Sequence, residues 1–353
     1  MACTETCPAK APIPRIVVAA RADAARAIGV RFPYGLAYRN LMTDRRLLGK
    51  FLRFGKFFQS TFMPRSEGMV RHLPSFMSAL SKRGQIPSIA PKFLSSLVDE
   101  VTSPPRGVKK IMRVGYFPGC MNEFVLPDLG IRTIDYLARH GVEVVMPAKQ
   151  GCCGAAAFLG GGDFETGRKV ADLNSAVFSG VDCIVTGCAT CACTLKEYPH
   201  FLADTPERQA AYAAFAGKVR HVSQFLVDDL DLNASSYELH PALRGKKLTW
   251  HDPCHLNRHL GVKEQPRRIL KSLEGAHFVE MPNADRCCGM AGQFSLLYYE
   301  LSRKIAEKKM DSIAATDADI VVTACPGCQF QLAENAARLQ RPQKVMNLMD
   351  VLK

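Results

Sequence analysis

The sequence predicts an α/β protein made of two tandem copies of one unit, each with a short parallel sheet, behind a helical N-terminal arm. Three observations predict it. From Arg113 onward, short β-branched runs alternate with helical stretches, the pattern of strand–helix–strand units in parallel sheets. The order of features then repeats at a nearly constant offset: Phe117-Pro118-Gly119-Cys120 is answered 134 positions later by Asp252-Pro253-Cys254, Gly151-Cys152-Cys153-Gly154 after 135 by Arg286-Cys287-Cys288-Gly289, and Gly187-Cys188-Ala189-Thr190-Cys191 after 137 by Ala324-Cys325-Pro326-Gly327-Cys328. Each cysteine group also falls just after an expected strand, where the loops of a parallel sheet gather along one edge.

In chain order, residues 1–112 read as a helical arm: Ile16 to Ile28 is rich in Ala, Val and Arg, and prolines at 33, 64, 74, 87, 91, 104 and 105 punctuate the rest of the arm. Within it, Leu41 to Phe62 interleaves Leu47, Leu48, Phe51, Leu52, Phe54, Phe57, Phe58 and Phe62 with Arg45, Arg46, Lys50, Arg53 and Lys56. Such a basic amphipathic helix lies on a membrane surface, or packs its apolar stripe on the rest of the protein, the commoner fate of such stripes. Strands are expected at Arg113–Phe117, Val142–Met146, Asp182–Thr186, Lys247–Trp250, Ala276–Glu280 and Asp319–Thr323. Helices are expected at Leu126–His140, Glu165–Ser179, Pro266–Leu273 and Tyr298–Ala315. The tails of the copies match too, Val219–Leu226 with Val345–Leu352. The copies are bounded at 113–245 and 246–353.

Fourteen cysteines in 353 residues, with no secretory leader and no apolar run of the roughly 18–20 residues that a bilayer crossing needs, indicate a cytoplasmic protein whose thiols serve metal or redox chemistry. The formal net charge of +13 is uneven: residues 1–113 hold 20 Lys and Arg against 6 Asp and Glu, and residues 114–353 hold 26 against 27. A basic arm suits an acidic partner or anionic lipid. No finger spacing, recognition helix or RNA-binding motif points to nucleic acid, and no Gly-x-Gly-x-x-Gly places a dinucleotide on this chain.

Each copy carries one cysteine, then after 31 or 32 residues an adjacent pair followed by Gly, then after 34 or 36 residues a Cys-x-x-Cys. Thiolates so arranged bind iron–sulfur clusters or zinc, and the spacing alone does not choose between them. Cys183, inside a strand, reads as a small buried hydrophobe, and Cys193 as a spare thiol or one activated at a helix start. His255, next to Cys254, reads as a donor to a cluster sulfur, a proton relay or a loop cap.

With the flanking motifs His251-Asp252-Pro253-Cys254-His255-Leu256, Asp285-Arg286-Cys287-Cys288-Gly289-Met290-Ala291-Gly292 and Thr323-Ala324-Cys325-Pro326-Gly327-Cys328, residues 113–353 resemble the cysteine-rich CCG-domain family. That family includes heterodisulfide reductase B and D subunits and the iron–sulfur subunits of glycolate oxidase, lactate utilisation and anaerobic glycerol-3-phosphate dehydrogenase complexes. The resemblance implies two [4Fe–4S] clusters, cubane or noncubane. Cys120, Cys152, Cys153, Cys188 and Cys191 would hold one, and Cys254, Cys287, Cys288, Cys325 and Cys328 the other, with zinc in one site as the alternative. It also implies a subunit that links a flavin-dependent lactate or glycolate dehydrogenase to a quinone or a thiol/disulfide couple; the alternatives are a disulfide reductase acting at a noncubane cluster and a zinc-bound scaffold. Some relatives carry an N-terminal two-cluster ferredoxin domain. Here Cys3-Thr4-Glu5-Thr6-Cys7-Pro8 matches only the end of one such run, so a longer chain, a separate ferredoxin-like subunit or a vestige are all expected sources of the difference. The expected location is cytoplasmic, including peripheral association with the inner face of the membrane.

Overall fold

The computed structural model describes residues 2–63, 70–72 and 85–353; the interruptions read at Pro64 and Pro74 lie outside the described residues. The arm begins with α1 (Ala2–Thr6), α2 (Ile13–Ile28), α3 (Tyr34–Leu41) and α4 (Arg45–Phe62). The single helix expected from Leu41 to Phe62 is broken, because Asp44 is extended and its carboxylate accepts a hydrogen bond from the Leu47 N–H at 2.9 Å, an N-cap that starts a new helix.

One face of α4 packs inward. Buried Gly49 brings the helix backbone against Phe93 and Phe124, whose rings meet edge to face with centroids 4.9 Å apart. Gln59, also buried, donates to the Pro87 carbonyl at 3.1 Å and accepts from the Ile89 N–H at 3.0 Å. The aromatic stripe is not that inner face. Phe51, Phe54, Phe57 and Phe62 are 60%, 74%, 69% and 54% exposed, so the packed reading of these side chains is corrected.

Strands β1 (Val70–His72) and β2 (Gln85–Pro87) form an antiparallel pair. Next come β3 (Val101–Thr102), β4 (Met112–Tyr116), β5 (Val142–Val145), β6 (Cys183–Thr186) and β7 (Val219–His221), in the order β3-β5-β4-β6-β7, parallel except for β3. The second sheet holds β8 (Lys247–Trp250), β9 (His277–Val279), β10 (Ile320–Thr323) and β11 (Lys344–Asn347), all parallel, in the order β9-β8-β10-β11. The repeat seen in sequence is therefore a repeat of topology: β5-β4-β6-β7 and β9-β8-β10-β11 are the same arrangement, and Met112↔Val142 recurs as Lys247↔His277. Strands β6 and β10 are buried along their whole length, as central parallel strands covered on both faces must be.

The expected helices are present at Pro127–Arg139, Phe164–Val177, Glu264–Lys271 and Tyr299–Ala314. Phe164–Val177 is capped by Asp163, which accepts from the Thr166 N–H and hydroxyl. Helices Ala189–Lys196, Pro206–Lys218 and Pro326–Arg338 and strands β3, β7 and β11 are additions to the expected elements. The copies touch directly: the Ala324 carbonyl accepts from the Ala189 N–H at 3.3 Å and lies 3.1 Å from His221 Nε2.

Candidate metal centres

Each sheet presents its cysteines at the C-terminal ends of three adjacent strands. Cys120 follows β4, Cys152 and Cys153 follow β5, and Cys188 caps the helix after β6 with Cys191 in its first turn. Cys254, Cys287, Cys288, Cys325 and Cys328 take the same places after β8, β9 and β10. The caps matter electrically, because a helix N-terminus favours a thiolate over a thiol. Close approach of the loops requires the glycine before Cys120: a Cβ on Gly119, whose φ is +67°, would lie 2.8 Å from Cys191 Sγ.

The sulfurs form two linked groups. In the first, Cys152 neighbours Cys153, Cys153 reaches Cys191 and Cys191 reaches Cys188, with Cys120 close enough to feel the charge of Cys153. In the second, Cys254 reaches Cys287, Cys287 reaches Cys288, Cys288 Sγ lies 3.4 Å from Cys328 Sγ, and Cys328 reaches Cys325. The groups meet where Cys188 and Cys325 come close enough to shift each other's ionisation. The neighbouring thiols of Cys152, Cys254 and Cys188 pull Cys153, Cys287 and Cys325 respectively below the ordinary thiol range, while Cys152, Cys254 and Cys188 themselves, with Cys191 and Cys328, are pushed up. Packed this tightly, the sulfurs share a few negative charges between them, and a bound cationic group is needed for all of them to ionise.

Of the other residues singled out, Cys183 is buried in β6 with its thiol donating to the Lys218 carbonyl at 3.2 Å, and Cys193 is buried, its thiol raised by desolvation. His255 Nδ1 lies 3.1 Å from Thr190 Oγ1, which lies 3.6 Å from Cys325 Sγ, so it sits at the junction of the groups. Cys3 lies in α1, exposed, and Cys7 just after it, half-buried, with its N–H donating to the Cys3 carbonyl at 3.2 Å.

Three residues were not singled out from sequence. His251 is completely buried, neither ring nitrogen has a hydrogen-bond partner among the described residues, and its ring reaches within 4.8 Å of the sulfurs of Cys288 and Cys328. Burial drives its pKa down to about 3, which keeps it neutral. Its place at the end of β8, three residues before Cys254, is the signal that could have found it. Asn174 accepts from the Gly151 N–H at 2.9 Å and donates to the Cys152 carbonyl and the Tyr198 hydroxyl. Lys309 is completely buried and donates to the carbonyls of Asn283 at 2.8 Å and Ala284 at 2.9 Å. Burial pulls it down to about 8, which leaves it protonated at neutral pH. Only long-range packing reveals these last two.

The arm closes over the first group. The Cys152 N–H donates to the Met42 carbonyl at 3.1 Å, and a narrow crevice lined by Leu41, Arg45, Leu48, Cys120 and Cys152 separates α4 from the sulfurs. Arg45 pairs there with buried Glu123.

Two short parallel sheets, each offering five cysteines at its strand ends, define a duplicated cysteine-rich domain, and the cysteine-rich (CCG) domain family matches residues 114–196 and 248–333. Lactate utilization protein A of Geobacillus kaustophilus is 34% identical over 241 residues, 68% of this chain and 98% of that protein. The probable glycolate oxidase iron-sulfur subunit of Bacillus subtilis is 34% identical over 302 residues, covering 82% of this chain and 64% of that protein. A subunit of the CoM/CoB fumarate reductase of Methanothermobacter marburgensis is 33% identical over 242 residues, covering 68% of this chain and 46% of that protein. The chain thus spans nearly the whole of the first relative and less than two thirds of the other two. It belongs to the CCG cysteine-rich domain family.

Proposed function

We propose that this chain is the iron–sulfur electron-transfer subunit of an oxidoreductase, with one four-iron cluster in each copy. Residues 113–245 form one domain, residues 246–353 the other, and residues 1–112 the arm. Cys120, Cys152, Cys153, Cys188 and Cys191 hold the first cluster, and Cys254, Cys287, Cys288, Cys325 and Cys328 the second. The observation that carries this reading is the convergence of ten thiols into two linked groups of five. Soft donors in that number suit a cluster, and the buried Lys309 ammonium, which has no carboxylate partner among the described residues, suits an anionic one. Iron–sulfur clusters supply reversible one-electron storage. The chain's own groups bury Cys153, Cys188, Cys191, Cys288, Cys325 and Cys328 and donate to the sulfurs, as the Gly289 N–H does to Cys287 Sγ at 3.3 Å.

The names of the relatives, a probable glycolate oxidase iron-sulfur subunit and a lactate utilization protein, support a 2-hydroxy-acid dehydrogenase as electron donor; a flavin on that donor, a ferredoxin-like subunit as a further partner and a quinone or thiol/disulfide couple as acceptor complete the proposal. A reducing cytoplasm is the proposed location, where these thiols stay available as ligands. Anaerobic protein mixed with a reduced flavin dehydrogenase of this class and its 2-hydroxy acid is expected to lose its visible absorption as the clusters are reduced. Bleaching by dithionite but never by the flavoprotein would refute the assignment of the donor. Exposure of Cys120 favours a second reading, in which a disulfide reaches the first site directly; turnover of a disulfide by the isolated chain with a chemical reductant would establish it. The proximity of His251, Cys288 and Cys328 favours zinc as the alternative occupant of the second site.

The outer face of α4 is the proposed docking surface, and anionic lipid of the inner membrane leaflet is its occupant. Arg46, Lys50 and Arg53 are exposed beside Phe51, Phe54 and Phe57, and the helix contains no acidic residue. Aromatic rings between cations suit a headgroup interface, whereas protein interfaces are depleted in Lys. Among the described residues no helix is long and apolar enough to cross a membrane. Reversing Arg46, Lys50, Arg53 and Lys56 to Glu is expected to weaken co-sedimentation with anionic vesicles at least tenfold while iron content stays unchanged. Unchanged vesicle binding at both low and physiological salt would refute lipid docking, and loss of flavoprotein binding alone would assign the face to that partner.

A further inference from the structure

The two copies differ in charge beneath the adjacent cysteine pair. Lys309 lies 135 positions after Asn174, the same offset that relates Cys152-Cys153 to Cys287-Cys288, and each residue stands on the helix that supports its pair's loop. Asn174 holds the first loop with a neutral amide, through the Gly151 N–H and the Cys152 carbonyl. Lys309 holds the second with an ammonium, through the carbonyls of Asn283 and Ala284, with Met281 Sδ at 3.5 Å. A second substitution runs in parallel, because His251 stands where the first copy has Phe117.

Among the described residues the ammonium has no carboxylate partner. All three of its contacts are neutral, and the nearby carboxylates are engaged elsewhere: Asp252 takes both arms of Arg267 and the Trp250 indole N–H, and Asp285 pairs with Arg258. The cation near the first group, Arg45, is by contrast neutralised by Glu123. An unpaired buried charge is costly unless an opposite charge stands close by, and five thiolates around a cluster provide one.

We infer that Lys309 sets the charge of the second centre and makes it the easier of the two to reduce, while Asn174 leaves the first centre the harder. Adding one electron to the group held by Cys254, Cys287, Cys288, Cys325 and Cys328 makes and breaks no bond. The added negative charge is stabilised by the ammonium in a medium of low dielectric. This inference rests on the proposed pair of clusters and deepens it, since it gives the pair a direction.

The test is an anaerobic dithionite titration of the full chain, following each centre by electron paramagnetic resonance, in wild type, Lys309→Gln, Lys309→Arg and Asn174→Lys. In Lys309→Gln the ratio of reduced to oxidised second centre at a fixed potential is expected to fall roughly tenfold, about 59 mV for one electron. The first centre should not move, and Lys309→Arg should restore most of the loss. Asn174→Lys should raise the first centre in the same way, and it decides the matter if Lys309→Gln does not load its cluster. Equal shifts in the Gln and Arg variants would reduce Lys309 to a structural role, and unmoved potentials in Lys309→Gln and Asn174→Lys would overturn the inference. Two reducible centres in the wild type with no shift in the variants refute this inference alone, whereas a wild type without any reducible iron–sulfur signal refutes the proposed function as well.

Discussion

Cys288→Ser is expected to abolish or distort the signal of one cluster and leave the other largely intact. Cys288 lies at the centre of the second group, with Cys287 on one side and Cys328 Sγ 3.4 Å away on the other. The serine hydroxyl is a harder and far less acidic donor than a thiol, so one ligand of the set is lost. The first group keeps all five of its sulfurs, and its nearest link to the second is through Cys188 and Cys325, not Cys288. Iron content should fall by about half, because each four-iron group is held by its own set. Disappearance of both signals from a folded variant would show that the ligands are shared between copies and not partitioned as proposed.

Arg45→Met is expected to cost about 3 kcal/mol of stability, because it strands a buried carboxylate. Glu123 is 1% exposed, and besides pairing with Arg45 it accepts from the Ser95 hydroxyl and backbone N–H, neither of which carries a charge. The pair also clamps α4 over the crevice beside Cys120 and Cys152, so its loss should loosen the arm as well as lower the melting temperature. Thermal and denaturant unfolding would measure the effect, and adding Glu123→Gln should recover much of it by removing the stranded charge. A single variant within about 0.5 kcal/mol of wild type would show that the pair is solvated and that the arm is held by other contacts. For this reason Arg45 is kept in the charge-reversed arm, where a Glu at 45 would face Glu123.

Much of the architecture was legible in the sequence, because it is local. β4, β5, β6, β8 and β10 are β-branched runs ended by Gly, Pro or Cys, and the constant offset of the repeat carried their order from one copy to the other. β7 and β11 escaped notice although their segments were matched to one another, since Val219–His221 and Lys344–Asn347 are too short to show alternation and are strands only because β6 and β10 lie beside them. The Met42–Asp44 break was written in the cap at Asp44 but hidden by the apolar periodicity on both sides of it. That periodicity also misdirected the packed reading of the arm: it measures a stripe without saying what covers it, and Gly49 and Gln59, not Phe51, Phe54, Phe57 and Phe62, face inward.

The site divides along the same line. Cysteine spacing picked out the two sets of five, whose role as ligands is the proposal. Contacts between distant elements stayed invisible, among them Cys188 with Cys325, His251 beside Cys288 and Cys328, and Lys309 under the loop before Cys287. Each depends on how helices and copies pack, and a lysine in an otherwise amphipathic helix reads as solvated until its neighbours are known.

Two four-iron clusters held by ten cysteines would show in the iron, acid-labile sulfide and zinc content of the anaerobically purified full chain, repeated after anaerobic reconstitution. About eight iron and about eight sulfide per chain are expected, four of each in either copy. Near-stoichiometric zinc with negligible iron would contradict the two-cluster assignment.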